Sequence, residues 1–208
     1  INIMVAAILY PLRDVFEVCI ISCGYMLYFY LSWDGYYAYL GCLPLLSAVT
    51  ALLHCVLIVL LKKVIIGKFA RGDHAFYSRY HFCWALMMTL LAPVYPLIEA
   101  MHGTVLAVWF YRAMAASVGH RTCVHGKALE FDLLNVADGA SIGRLCDTTC
   151  HTVENMVIKL ADVAIGRAAD VGARSVVMPG ASLGDGASLL PHSLVLKGEA
   201  ASAGSTYA

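Results

Sequence analysis

The chain has 208 residues, 61% of them hydrophobic and only 13% charged, with a formal net charge of zero and a mean hydropathy of +0.75. Charge at about half the usual share argues against an ordinary soluble domain, and a balanced charge excludes the basic footprint of a nucleic-acid binder. The apolar weight lies before residue 117, after which glycines and charges recur regularly, so residues 1–117 read as a membrane part and the rest as a small soluble part.

The opening stretch INIMVAAILY has no initiating Met and no recognisable signal peptide, and reads as a piece of something longer. Residues 15–31 carry one charge, Glu17, and are just long enough to span a bilayer. Residues 32–37, with Trp33, Gly35 and Tyr36, read as a turn bearing interfacial aromatics. Residues 38–61 hold no charge and form the second span of a hairpin, in which Pro44 and His54 are tolerated if packed against neighbouring helices. Lys62, Lys63, Lys68 and Arg71 follow at once, so this end, like the Arg13 end of the first span, faces the cytoplasm by the positive-inside rule. Residues 82–116 are broken by Pro93 and Pro96, and their last part is too short to recross ~30 Å of hydrocarbon. A re-entrant or interfacial helical segment is expected there.

A period of six begins at Val118. Val118, Val124, Val136 and Ile142 share one grid, with Glu130 as its exception, and Ile165, Val171, Val177, Leu183, Leu189 and Val195 continue it. No helix has that period, whereas stacked coils of short parallel strands bury one aliphatic residue per side. Gly166, Gly172 and Gly184 follow their slots, at corners that need either φ > 0 or close backbone approach. The prediction is a parallel β-helix over 118–199, interrupted by an excursion at 146–162, with a polar tail at 200–208.

Cys19, Cys23, Cys42, Cys55 and Cys83 lie in apolar runs and act as small hydrophobes. Cys146, Cys150 and His151 depart from the usual zinc-ligand spacings, so no metal is expected.

The run CHTVEN, an excursion, then VAIGRAADVGARSVVMPGASLGDGA resembles the hexapeptide-repeat acyltransferases. The resemblance implies a left-handed parallel β-helix following the helical membrane hairpin. It also implies a histidine at a coil edge, here His151, that takes the proton of an amine or hydroxyl acceptor. Imidazole titrates near neutral pH and suits that role. Glu130, Asp132, Glu154 and Asn155 are the candidates to orient it, and glycine-corner N–H groups are candidates for an oxyanion site. Arg167, Arg174 and Lys197 are candidates to pair with phosphates of coenzyme A or of a carrier-bound phosphopantetheine arm, the implied thioester donors. His192, at an ordinary corner, is a weaker candidate.

The order of an apolar hairpin, KKVIIGKFARGDHAFYSRYHFCWAL, GTVLAVWFYRAMAASVG and a β-helix ending in SLVLKGE is similar to the C-terminal membrane region of nonribosomal-peptide-synthetase-like proteins, the poly-lysine synthetase group. That resemblance implies adenylation and carrier domains elsewhere in a longer chain, and acyl or aminoacyl transfer at the membrane face. The bilayer and a second β-helix copy, as a trimer or tandem unit, are the other expected partners. The expected location is integral to the membrane, with the β-helix on the cytoplasmic face. Two alternatives stand beside this reading: a non-catalytic β-helical scaffold that docks synthetase units, and a transporter fragment, which two spans without an intramembrane charge pair support little.

Overall fold

The structure is a computed structural model describing Met26 and residues 33–208. Helix α1 (Trp33–Ile65) is continuous through the expected second span. The turn expected at 32–37 is helical from Trp33, because nothing in WDGYY stops a helix that a long apolar run propagates. The other half of the hairpin, 15–31, lies outside the described residues except Met26. Within α1, Leu40–Ile65 has a mean hydropathy of 2.4 and almost no burial against protein. It is long and apolar enough to cross a membrane.

A short strand, β1 (Gly72–Ala75), follows. Three helices then occupy the segment expected to be re-entrant or interfacial: α2 (Arg79–Leu91), α3 (Tyr95–Met101) and α4 (Val105–Ala113). Ser78 caps α2 by accepting a hydrogen bond from the His81 N–H. A 3-10 turn at Ala92–Val94 joins α2 to α3, and their axes bend by 62° there. Among the described residues α1 alone meets the length and hydropathy for spanning, or two segments do if the bent pair counts as one.

From Ser117 the chain winds as a parallel β-solenoid. Its strands are β2 (Ser117–Val118), β3 (Cys123–Val124), β4 (Leu134–Val136), β5 (Ser141–Ile142), the hairpin β6 (His151–Glu154) and β7 (Val157–Leu160), then β8 (Val163–Ile165), β9 (Asp170–Val171), β10 (Val176–Val177), β11 (Ser182–Leu183), β12 (Ser188–Leu189), β13 (Leu194–Val195), β14 (Ala200–Ala201) and β15 (Thr206–Tyr207). One side stacks β2, β4, β8, β11 and β14; the second stacks β3, β5, β9, β12 and β15; the third carries β10 and β13. Val118 pairs with Val136 and Ile165 with Leu183, an eighteen-residue register, so each slot of the sixfold grid becomes a column of inward side chains. Val171, Val177 and Val195 are fully buried. That burial drives the coil shut.

The corner glycines resolve in favour of close approach. Gly172 has no positive φ; a Cβ there would lie 2.5 Å from the Leu189 carbonyl of the next coil. The left-handed corner positions fall to other residues, including Arg174 (φ 58°) and His192 (φ 62°). Residues 200–208 are a further turn of solenoid, with Ser182 paired to Ala200 and Ser188 to Thr206. The small Ala201 and the aromatic Tyr207 keep the sixfold spacing while disguising its aliphatic pattern.

The excursion is narrower than 146–162. Cys146 and Thr148 remain inside the prism, and the hairpin β6–β7 leaves it between them and β8. Asn155 (φ 51°) and Met156 (φ 60°) form its two-residue turn. β1 adds antiparallel to β7, giving the order β1–β7–β6. The first coil is closed by the helices: Tyr111 of α4 is fully buried, stacks edge-on against Phe131 at 4.9 Å and donates to the Gly126 carbonyl at 2.7 Å.

The end of α1 is fastened to this coil by a buried ion pair. Lys62 Nζ lies 2.7 Å from Asp132 Oδ2, both side chains almost wholly enclosed, and the Phe69 N–H donates to the same oxygen at 2.9 Å. Removing one member strands the other without water. Lys62→Met is expected to cost about 3–5 kcal/mol, while Lys62→Met with Asp132→Leu recovers most of it, as read by thermal unfolding in detergent.

Candidate active site

Glu130 breaks the sixfold grid because the slot is filled two residues early. Lys127 bridges to Asp147 and Asp147 to Val176, which puts Ala128, Thr148 and Val177 in one column. All three are buried. Glu130 is thereby released to the junction of the helices, the first coil and the hairpin, where it is only 1% exposed.

An ionised carboxylate in such a place needs donors around it. Trp84 of α2 donates its indole N–H to Oε1 at 2.9 Å, and the Cys150 N–H donates to Oε2 at 3.1 Å. His151, the first residue of β6, brings Nδ1 to 2.8 Å from Oε1. The ring N–H is not aimed straight at that oxygen, so the contact is one of charge rather than an aligned hydrogen bond. Trp84 also stands edge-on to the imidazole, with ring centroids 5.0 Å apart.

Burial of the ring favours its neutral form, but the Glu130 carboxylate 2.8 Å away outweighs that, so the His151 pKa lies above the ordinary histidine value. The side chain keeps 20% of its surface in solvent. With Nδ1 turned to the carboxylate, Nε2 is the nitrogen left to meet a substrate proton. Burial, with the Glu130 charge second, pushes the neighbouring Cys150 thiol up, so it stays protonated near neutral pH and is a poor nucleophile.

The structure thus brings together His151 and Glu130 of the expected residues. Asp132 faces Lys62 and holds the helix junction. Glu154 faces Lys159 at 2.9 Å and Lys197 at 3.0 Å on the outer side of the hairpin, and these two bonds hold its pKa at about 2. Asn155 is a corner of the turn. Lys197 is spent on Glu154 and on Thr152 Oγ1, clasping the hairpin to a later coil. Arg167 is exposed beside Asp185 at 3.5 Å, and Arg174 is exposed at a left-handed corner, as is His192. The corner N–H groups offered for an oxyanion are taken: those of Gly143, Gly166, Gly172 and Gly184 donate to carbonyls of the next coil.

Sequence reasoning did not single out Trp84. The signal was present in RYHFCW, where a histidine and an indole interrupt an otherwise apolar helix. Lys62, read only as a topology marker, is a structural cation.

No family model matches the chain. Delta-poly-L-ornithine synthetase of Acinetobacter baumannii (strain AB307-0294) is 26% identical over 153 residues, covering 70% of this chain and 11% of that protein. The resemblance to nonribosomal-peptide-synthetase-like proteins therefore holds, and the chain spans about a tenth of that relative's length. Among solved structures, a hexapeptide transferase family protein from Anaplasma phagocytophilum aligns over 44% of this chain and 48% of its own, at 21% identity and TM-score 0.34. A maltose O-acetyltransferase from Clostridium difficile 630 aligns over 50% and 74%, at 13% and 0.39. A hexapeptide-repeat-containing acetyltransferase from Vibrio cholerae, solved with acetyl coenzyme A, aligns over 54% and 81%, at 12% and 0.42. At these TM-scores the likeness is partial.

The raised His151 pKa has a stability consequence. The pair's contribution is full below the ordinary histidine value of 6.5 and is lost as pH rises through the higher folded value. In Glu130→Gln the burial effect is left without its counterweight. The His151 ring is then expected to titrate below 6.5, and the loss of stability on raising pH through this window should vanish, as followed by histidine NMR and thermal melts.

Proposed function

We propose that this stretch, related to part of a poly-amino-acid synthetase and wound as a hexapeptide-type solenoid, is the membrane-held acyl-transfer module of a longer chain. The single observation that carries the reading is the buried Glu130 carboxylate set against a partly exposed His151. A carboxylate on Nδ1 fixes the ring's orientation and stabilises the imidazolium formed when Nε2 takes a proton.

In the proposed reaction, an amine or hydroxyl attacks the carbonyl carbon of a thioester on coenzyme A or a phosphopantetheine arm. His151 Nε2 accepts the acceptor's proton as the new N–C or O–C bond forms. The tetrahedral intermediate collapses with cleavage of the C–S bond, and the imidazolium returns its proton to the thiolate. Of the cations first considered for the donor's phosphates, Arg167 and Arg174 remain exposed on the coils, whereas Lys197 is already bonded.

The cytoplasmic location proposed for the solenoid is supported by its attachment to the end of α1. Lys63, Lys68 and Arg71 stand exposed beside the Lys62–Asp132 pair. By the positive-inside rule these cations favour the cytoplasmic side for that end and for the solenoid joined to it. Adenylation and carrier domains of the same longer chain would deliver the thioester. On the third side of the prism, Val176 and Leu194 point outward and are exposed, a surface suited to a second solenoid copy.

His151→Ala, in a folded chain reconstituted with a loaded carrier or an acyl-CoA, is expected to lower transfer by about 10²–10⁴-fold with little change in donor affinity. Unchanged product formation would replace this reading by that of a docking scaffold.

A further inference from the structure

A second cleft opens between the end of α3 and the first two coils. It encloses about 400 Å³ and gathers Tyr95, His102, His125, Lys127, Arg144 and Asp147. Its cations are uncommitted: among the described residues neither Lys127 nor Arg144 makes an ion pair. Lys127 instead rests 5.3 Å over the Tyr95 ring. Two buried polar atoms here, the Tyr95 hydroxyl and His102 Nε2, have no hydrogen-bond partner. Buried polar groups left this way call for a partner, which an ordered water or a ligand supplies. The cleft also depends on a glycine: the His125 ring lies where a Cβ on Gly103 (φ 75°) would be, 2.1 Å from its Nε2.

Two cations, a phenol and an imidazole form a donor set for a phosphate oxygen cluster. Asp147 already accepts from the Thr149 N–H at 3.1 Å, and Glu99 stands exposed at the rim. These carboxylates weigh against a dianion and favour a phosphodiester with a single charge. The rim is apolar. Leu145 lines the cleft and is largely exposed, and α4, starting just after Gly103, turns Val105, Leu106 and Trp109 outward. An exposed Trp on the helix that follows the cleft-lining His102, in a chain that also carries a helix apolar enough to span, fits a bilayer interface.

We propose that this cleft binds the phosphodiester headgroup of a membrane lipid, with Arg144 and Lys127 on the phosphate and the exposed Leu145 against the acyl chains. The proposal rests on the membrane placement of the reading above and not on the chemistry of His151. The lipid would seat the helix junction at a fixed depth, with the solenoid projecting from the surface.

The full chain, carbon-13-labelled at histidine and held in maltoside micelles, is titrated with dihexanoyl-phosphatidylglycerol. A saturable shift of the His102 and His125 ring signals is expected, and inorganic phosphate at the same concentration should not saturate it. Arg144→Gln with Lys127→Met should weaken binding about tenfold or more, whereas Glu99→Gln, an exposed-rim change that spares the fold, should tighten it about threefold. No saturable shift with the lipid, or an affinity that Glu99→Gln leaves unchanged, overturns the proposal. Inorganic phosphate binding as tightly as the lipid overturns it in favour of a soluble anion site. Because the readout is binding, a chain that transfers acyl groups without these shifts loses the lipid site alone, and the reverse result loses the chemistry alone.

Discussion

A carboxylate sealed from water is the constraint around which this molecule is arranged. At 1% exposure the Glu130 carboxylate needs polar partners, and they arrive from two distant parts of the chain. The indole of Trp84 comes from the helices before the solenoid, and the Cys150 N–H and His151 ring come from the root of the hairpin. The first coil, the helices and the excursion are thereby fixed to one another at a single point. That point is also where a titratable ring meets solvent. A local desolvation cost has become the means of positioning an imidazole at the surface.

The Lys62–Asp132 pair does comparable work two residues further along the chain. It secures the foot of an apolar helix to the coil that carries Glu130. Buried pairs add little net stability against well-packed apolar residues, but they tolerate only one arrangement. Here the arrangement the pair specifies is the orientation of the first coil on the end of α1.

How much of this was legible in the sequence depended on whether the signal was periodic. The sixfold spacing of Ile165, Val171, Val177 and Leu183 requires stacked coils, and the eighteen-residue register follows from it. The same periodicity failed where a slot was filled out of step, at Ala128, or by an atypical residue, at Ala201 and Tyr207. His151 was placed by resemblance, and Glu130 was conspicuous because it violated the pattern. Its partner was not readable. Trp84 is forty-six residues away, and no local propensity reports a bond across such a distance. Asp132, Glu154 and Asn155 looked alike as polar residues beside a histidine, yet folding sends them to a helix foot, an outer face and a turn.

The three-stranded sheet that carries His151 has a consequence for synthesis. β1 leaves the ribosome roughly eighty residues ahead of β7, the strand it pairs with, a delay on the order of ten seconds at ordinary translation speeds. During that interval a newly made edge, next in the chain to a long apolar helix, has nothing of its own to bond to. The sheet around His151 is therefore completed only when the hairpin emerges, with β8 to β15 of the solenoid still to follow.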